Sequence, residues 1–150
     1  MVVVAGHWEI GYMAPVMEAH QWNLALRDYG VSSWCMTPVS GVMHLEESRV
    51  KLTEFHSYDD LLESCGDLHR VFIEPRTAHQ NPTTTWLHEF EHPDDCVYCF
   101  GSAHLNPTLG RFRPFVDDVV SIKSVLDDGV PWATQCLMVV LYDRLVKSWQ

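Results

Sequence analysis

The sequence predicts a single α/β domain, with a mainly parallel sheet and helices on both faces. Three observations point there. Short β-branched or aromatic runs such as Val2-Val3-Val4 and Val71-Phe72-Ile73 recur between stretches of helical spacing. Most of the strands alternate with those helical stretches, which is the pattern of crossover connections. The length of 150 residues suits one domain and can bury a real core.

The elements follow in order. Val2 to Ala5 is apolar and β-branched, a candidate buried strand. A helix is predicted from Ala14 to Tyr29. Pro15 fits its first turn, Val16, Ala19, Asn23, Leu24 and Leu26 mark its spacing, and Gly30 ends it. Val31 to Met36 reads as a second strand, closed by Pro38 and Gly41. Residues 41 to 57 are polar and mixed, and read as loop. Ser57-Tyr-Asp-Asp opens a helix with a hydroxyl cap and carboxylates in the first turn, and Gly66 stops it. His69 to Glu74 is the next strand, and Pro75 to Thr85 the loop that follows it. Thr85 to Phe90 reads as a short helix, Cys96 to Phe100 and Val119 to Ile122 as strands, and Pro131 to Lys147 as the final helix.

Composition narrows the function classes. A hydrophobic content of 47% and a charged content of 20% are those of a soluble globular protein. No apolar run is long enough for a transmembrane helix, and the start lacks the basic region of a signal peptide. Five cysteines without a secretion signal suggest reduced thiols and a cytoplasmic location. The net charge of -10 and only ten Lys and Arg weigh against a nucleic-acid partner, which usually meets a basic stripe. Walker, G-x-G-x-x-G and G-x-S-x-G motifs are all missing, so P-loop, Rossmann and serine-hydrolase chemistry lack support.

Two metal patterns need weighing. His88-Glu-Phe-Glu-His92 has the H-E-x-x-H form, in which two histidines one helical turn apart face one zinc. Pro93 follows directly and biases His92 away from helical geometry. Cys96-Val-Tyr-Cys99 lies near His88, His92 and His104. On an extended strand its two thiols point to opposite faces and could not share an ion, whereas on a knuckle they could.

The run Cys96-Val-Tyr-Cys-Phe-Gly101, then Val119-Val-Ser-Ile122, then the helix from Pro131 resembles the cofactor-binding end of the SPOUT (alpha/beta-knot, TrmH/SpoU-like) methyltransferases. Tyr29-Gly30-Val31 resembles the turn that closes that family's first helix. Leu68 to Pro75 resembles the strand whose loop helps hold the cofactor. The resemblance spans most of the chain at the level of pattern. It implies a C-terminal trefoil knot, S-adenosylmethionine as cofactor, and methyl transfer to a ribose 2′-hydroxyl of tRNA or rRNA. It also implies a homodimer paired through the final helix region, where Leu137, Val140 and Leu141 could form the apolar face or equally be core.

Glu74, Pro75, Gly101, Ser102, Ile122, Ser124 and Leu126 are then the candidate cofactor-binding residues, acting largely through backbone groups. The chain departs from the family where side chains do chemistry. The first helix's Asn and Arg fall at Glu18 and Leu24, the second motif's Glu falls at Ala103, and the third motif's Ser-x-Asn-x-Ser falls near Val130, Trp132 and Thr134. Arg27 and Thr134 are the candidate catalytic residues, with Gln135 and His104 as other possible substitutes. A catalytically degraded dimeric binding module is the alternative function, and a zinc-binding protein a third.

Overall fold

Strand β1 (Val2–His7) is followed by helix α1 (Pro15–Asp28), strands β2 (Ser33–Thr37) and β3 (Lys51–Glu54), and helix α2 (Tyr58–Ser64). Strands β4 (His69–Ile73) and β5 (Thr85–Trp86) come next, with a 3-10 turn at Leu87–Glu89. Strands β6 (Cys96–Phe100) and β7 (Asp118–Ser121) and helix α3 (Ala133–Lys147) complete the order. The computed structural model describes residues 1–7, 15–37, 50–74, 84–101, 116–123, 125 and 133–150. Every strand pair among these residues is parallel, in the order β3-β2-β1-β6-β4-β7-β5. The fold class read from the sequence is therefore the observed one. The residues on which the expected knot would turn, 102–115 and 126–132, lie outside the described residues.

Side-chain alternation splits the core in two. Val4, Tyr98, Phe100, Val71 and Val120 face α1 and α3, while Val3, Ala5, Cys35, Phe72, Val97 and Cys99 face α2. The helix ends follow local chemistry. Gly30 takes φ +70, and Val31 N–H bonds the Leu26 carbonyl at 2.9 Å while Gly30 N–H bonds that of Arg27 at 3.2 Å. This six-to-one and five-to-two pairing closes α1, and a side chain at Gly30 would be strained. Ser57 Oγ accepts from the Asp60 N–H at 3.1 Å and caps α2, as its sequence predicts.

Two expectations are corrected. Residues 51–54 form β3 rather than loop, because β2 leaves one edge open and Leu52 packs against the core beside it. Thr85–Phe90 is not a helix: Thr85 and Trp86 pair with Val120 and Ser121 at the far sheet edge, and only a 3-10 turn follows.

The last turns of α3 hold down the stretch that leads into β6. Lys147 Nζ donates to the carbonyls of Leu87 (2.7 Å) and Phe90 (3.0 Å), and Arg144 to those of Pro93 (2.6 Å) and Asp94 (3.2 Å). Between them lies a partly buried chain of polar groups. His92 Nε2 is 2.9 Å from Asp143 Oδ2, which only accepts, so that nitrogen carries the proton. His92 Nδ1 then accepts from the Tyr98 hydroxyl at 2.6 Å, and Tyr98 accepts from Arg144 at 3.1 Å. Every member is paired, which is what makes a buried polar network tolerable. His92, Asp94, Arg144 and Lys147, with Ser148 and Gln150, border a cleft of about 480 Å³.

Burial lowers the His92 pKa below its ordinary 6.5, against the opposing pull of Asp143. The folded state thus favours neutral imidazole. Its contribution is whole above about pH 6.5 and is lost as pH falls through that value toward the folded pKa, because the unfolded chain binds the proton first. Asp143 adds a second loss further into acid. Burial raises its pKa, but hydrogen bonds from Lys147 and His92 outweigh that and hold it below 3.8. The melting temperature should fall between pH 7 and pH 5.5, and His92→Gln should flatten that slope while costing about 2 kcal/mol at neutral pH. Thermal melts across this range would show it, and an unchanged slope in the variant would clear His92 as the cause.

Candidate functional site

In a parallel sheet, ligands bind beyond the carboxyl ends of the strands, where the strand order changes direction. Here β1 runs on to β2 and β3 on one side, while β6, β4, β7 and β5 lie on the other. Ile73 pairs with both Phe100 and Val120, so Glu74, Gly101 and the Ser121-Ile122 step lie side by side just past the ends of β4, β6 and β7. The Glu74 N–H donates to the Val120 carbonyl at 3.0 Å, and Ser121 Oγ donates to the Glu74 carbonyl at 2.5 Å. Three of the sequence-predicted cofactor residues, Glu74, Gly101 and Ile122, are thus brought to one edge. Pro75, Ser102, Ser124 and Leu126 lie outside the described residues, as do Ala103, His104, Val130 and Trp132.

Helix α3 begins at this same edge. The buried Trp22 indole N–H donates to Thr134 Oγ1 at 2.9 Å, and the Thr134 hydroxyl lies 3.5 Å from Glu18 Oε2. Trp22 stacks on Trp34 with ring centroids 5.7 Å apart and meets Phe100 edge-on at 5.6 Å. A side chain at Gly6 would come within 3.1 Å of the Trp22 ring, so β1 carries glycine where the ring lies across it. Glu18 and Trp22 adjoin this edge through Thr134, and the sequence reading did not select them. The available signal was a Trp in register with Ala19 and Leu26, since a buried indole N–H needs a partner.

The two candidate catalytic residues are not brought together within one chain. Arg27 lies nine residues beyond Glu18 along α1, roughly 13 Å at 1.5 Å per residue. It is exposed and paired with Asp28 at 2.6 Å. Gln135 is exposed at the site edge. Opposite α1 and α3, His7 stacks on Tyr58 at 6.4 Å. Burial raises the Tyr58 pKa, with Cys99 and Glu74 adding to the effect, so the phenol stays protonated. Cys136 is pushed up to about 12, chiefly by burial, with Glu74 contributing. Cys35 rises to about 11 through burial and the neighbouring Cys65. Burial likewise raises Cys65, Cys96 and Cys99, so none of the five free thiols is poised as a thiolate nucleophile.

Among the described residues, neither metal pattern comes together. Cys96 faces α3 and Cys99 faces α2, as expected of thiols three residues apart on a strand. His92 is turned to Tyr98 and Asp143, while His88 sits in the 3-10 turn beside Glu89. Among the described residues, no group of three or more His, Cys, Asp or Glu could hold a metal ion. Among them too, no helix is long and apolar enough to cross a membrane.

No protein-family model matches the chain, and no curated protein matches it. Solved structures do. A Bacillus anthracis protein provisionally designated an RNA methyltransferase superposes with a TM-score of 0.72 at 12% identity, over 98% of this chain and 94% of that one. The SpoU methyltransferase AviRb from Streptomyces viridochromogenes, solved with AdoMet, gives 0.72 at 11% identity, over 99% of this chain and 60% of that one. A structure concerned with 2-OH methylation of C/U34 on tRNA gives 0.69 at 13% identity, over 100% and 92%. The chain therefore has the fold of SPOUT-type methyltransferases.

Two outcomes are expected here. Gly6→Ala should cost about 1–3 kcal/mol, because the stacked Trp22 cannot retreat. Urea denaturation measures this, and an unchanged midpoint would mean that the ring is free to move. Elemental analysis of the purified protein should find zinc well below one ion per chain; a stoichiometric amount would restore the metal reading.

Proposed function

We propose that this chain is a divergent S-adenosylmethionine-dependent RNA methyltransferase of the SPOUT family, acting on a ribose 2′-hydroxyl of tRNA or rRNA. The observation that carries this reading is the convergence of Glu74, Gly101 and Ile122 at one sheet edge, in a fold shared with AdoMet-bound methyltransferase structures. These residues fit the cofactor chemically. Gly101 lets backbone approach a ligand closely. Glu74 offers a carboxylate to hydroxyl or ammonium groups. When bound, the cofactor supplies an electrophilic methyl group on a sulfonium. The chain's part is to hold that group in line with the incoming oxygen and keep water away.

The two-chain assembly belongs to the same proposal. Leu137, Val140 and Leu141 do not form the apolar contact face, because α3 lays them on the sheet and they are buried. The opposite stripe of α3, Met138, Val139 and Tyr142, is exposed, as is Met17 on the neighbouring α1. A second copy covering these residues would give an isologous interface.

A degraded binding module remains the competing reading, and one observation favours it. Arg27, Arg70, Arg144 and Lys147 are all engaged by the chain's own carboxylates or carbonyls, in a protein of net charge -10. Lys123, just past β7, instead lies over the Trp86 ring at 5.9 Å, beside the proposed site.

Calorimetric titration with S-adenosylmethionine and S-adenosylhomocysteine tests the first reading, with roughly micromolar affinity expected. Binding without methyl transfer to bulk tRNA or rRNA would favour the degraded module. No binding by a protein that circular dichroism shows to be folded would remove the methyltransferase reading. Sedimentation should give a dimer, and Tyr142→Glu a monomer; a wild-type monomer would refute the interface.

A further inference from the structure

The cofactor-edge geometry points to Trp22 as a positioning residue: we infer that its indole N–H, acting through Thr134, sets the first turn of α3 and thereby the affinity for S-adenosylmethionine. The inference rests on the cofactor reading above and adds to it a residue in the body of α1.

The ring itself has little freedom. It is 2% exposed, stacked on Trp34, edge-on to Phe100, and seated on the space left by Gly6. Phe100 is the residue before Gly101, so the ring braces the end of β6 directly. Its N–H, 2.9 Å from Thr134 Oγ1, ties the start of α3 to the same support. One rigid group therefore spaces two walls of the proposed pocket, β6 and α3. The bond also decides what Thr134 can do. With a lone pair of its oxygen taken by Trp22, its hydroxyl proton is directed to Glu18 Oε2 at 3.5 Å. The bond from Trp22 suits Thr134 to holding α3 in place.

An ordinary core tryptophan would contribute only its packing, which phenylalanine largely keeps. The discriminating change is therefore loss of the N–H. Titration of S-adenosylmethionine into wild type, Trp22→Phe, Thr134→Val and Thr134→Ser, with a thermal melt of each, separates the cases. Trp22→Phe and Thr134→Val should each weaken binding about three- to tenfold, the worth of one hydrogen bond. Thr134→Ser, which keeps the hydroxyl, should stay within about twofold of wild type. The double variant Trp22→Phe/Thr134→Val should be no weaker than either single one, since both remove the same bond.

Unchanged affinity in folded Trp22→Phe and Thr134→Val would overturn the inference while leaving the cofactor reading intact. If Trp22→Phe fails to fold, Thr134→Val against Thr134→Ser decides the matter alone, and equal affinities of those two would overturn the inference. Absence of binding by folded wild type would overturn both readings together.

Discussion

Strand β6 must be satisfied on four sides, and the rest of the structure depends on that constraint. It pairs with β1 along one edge and β4 along the other, and all five of its residues are buried. Such a strand can contain only side chains that both layers accept. Tyr98 is the one with a hydroxyl, and it is the residue around which α3 is tied down, through His92, Asp143 and Arg144. On the other face Cys99 lies against Tyr58 at the start of α2. At its far end Phe100 meets Trp22, and the strand runs out at Gly101. A polar anchor at one end and an aromatic one at the other thus align α3 with the edge where the candidate site lies.

Much of this was legible in the sequence because the relevant signals are local. Ser57 caps α2, Gly30 closes α1, and the run Cys96–Phe100 is β-branched or aromatic enough to be read as a strand whose thiols diverge. What escaped notice depends on neighbours distant in the chain. Lys51–Glu54 is too polar to suggest a strand, yet β2 offers it an edge. Thr85-Trp86 is two residues long, and only the ladder of β7 makes it extended. His92 looked like half of a zinc motif because the pattern His88-Glu-Phe-Glu-His92 carries no trace of its true partners, Tyr98 and Asp143. The expected clustering of Glu74, Gly101 and Ile122 came from resemblance, whereas the Trp22–Thr134 bond spans 112 residues and has no sequence signature.

The acidic composition is more easily understood once the cations are placed. Arg70 closes the C-terminus of α2 by reaching the carbonyls of Gly66 and Leu62, and Arg144 and Lys147 satisfy four carbonyls ahead of β6. These positive charges complete backbone hydrogen bonding in places where no regular element does so. Among the described residues, these three cations are therefore poorly available to an anionic partner.

The strand order has a consequence for how the molecule comes into being. Residues 1–73 supply β1 to β4, but β4 pairs with none of the other three, because β6 occupies the place between them. Until residues 96–100 have left the ribosome, the first half of the chain holds one three-stranded piece of sheet and a lone strand, both with open edges. Cooperative structure must then await an insertion late in synthesis, and long-range parallel pairing of this kind is slow. Nascent or truncated chains would expose bare strand edges to one another, so this architecture places its greatest demand on chaperones before the chain is complete.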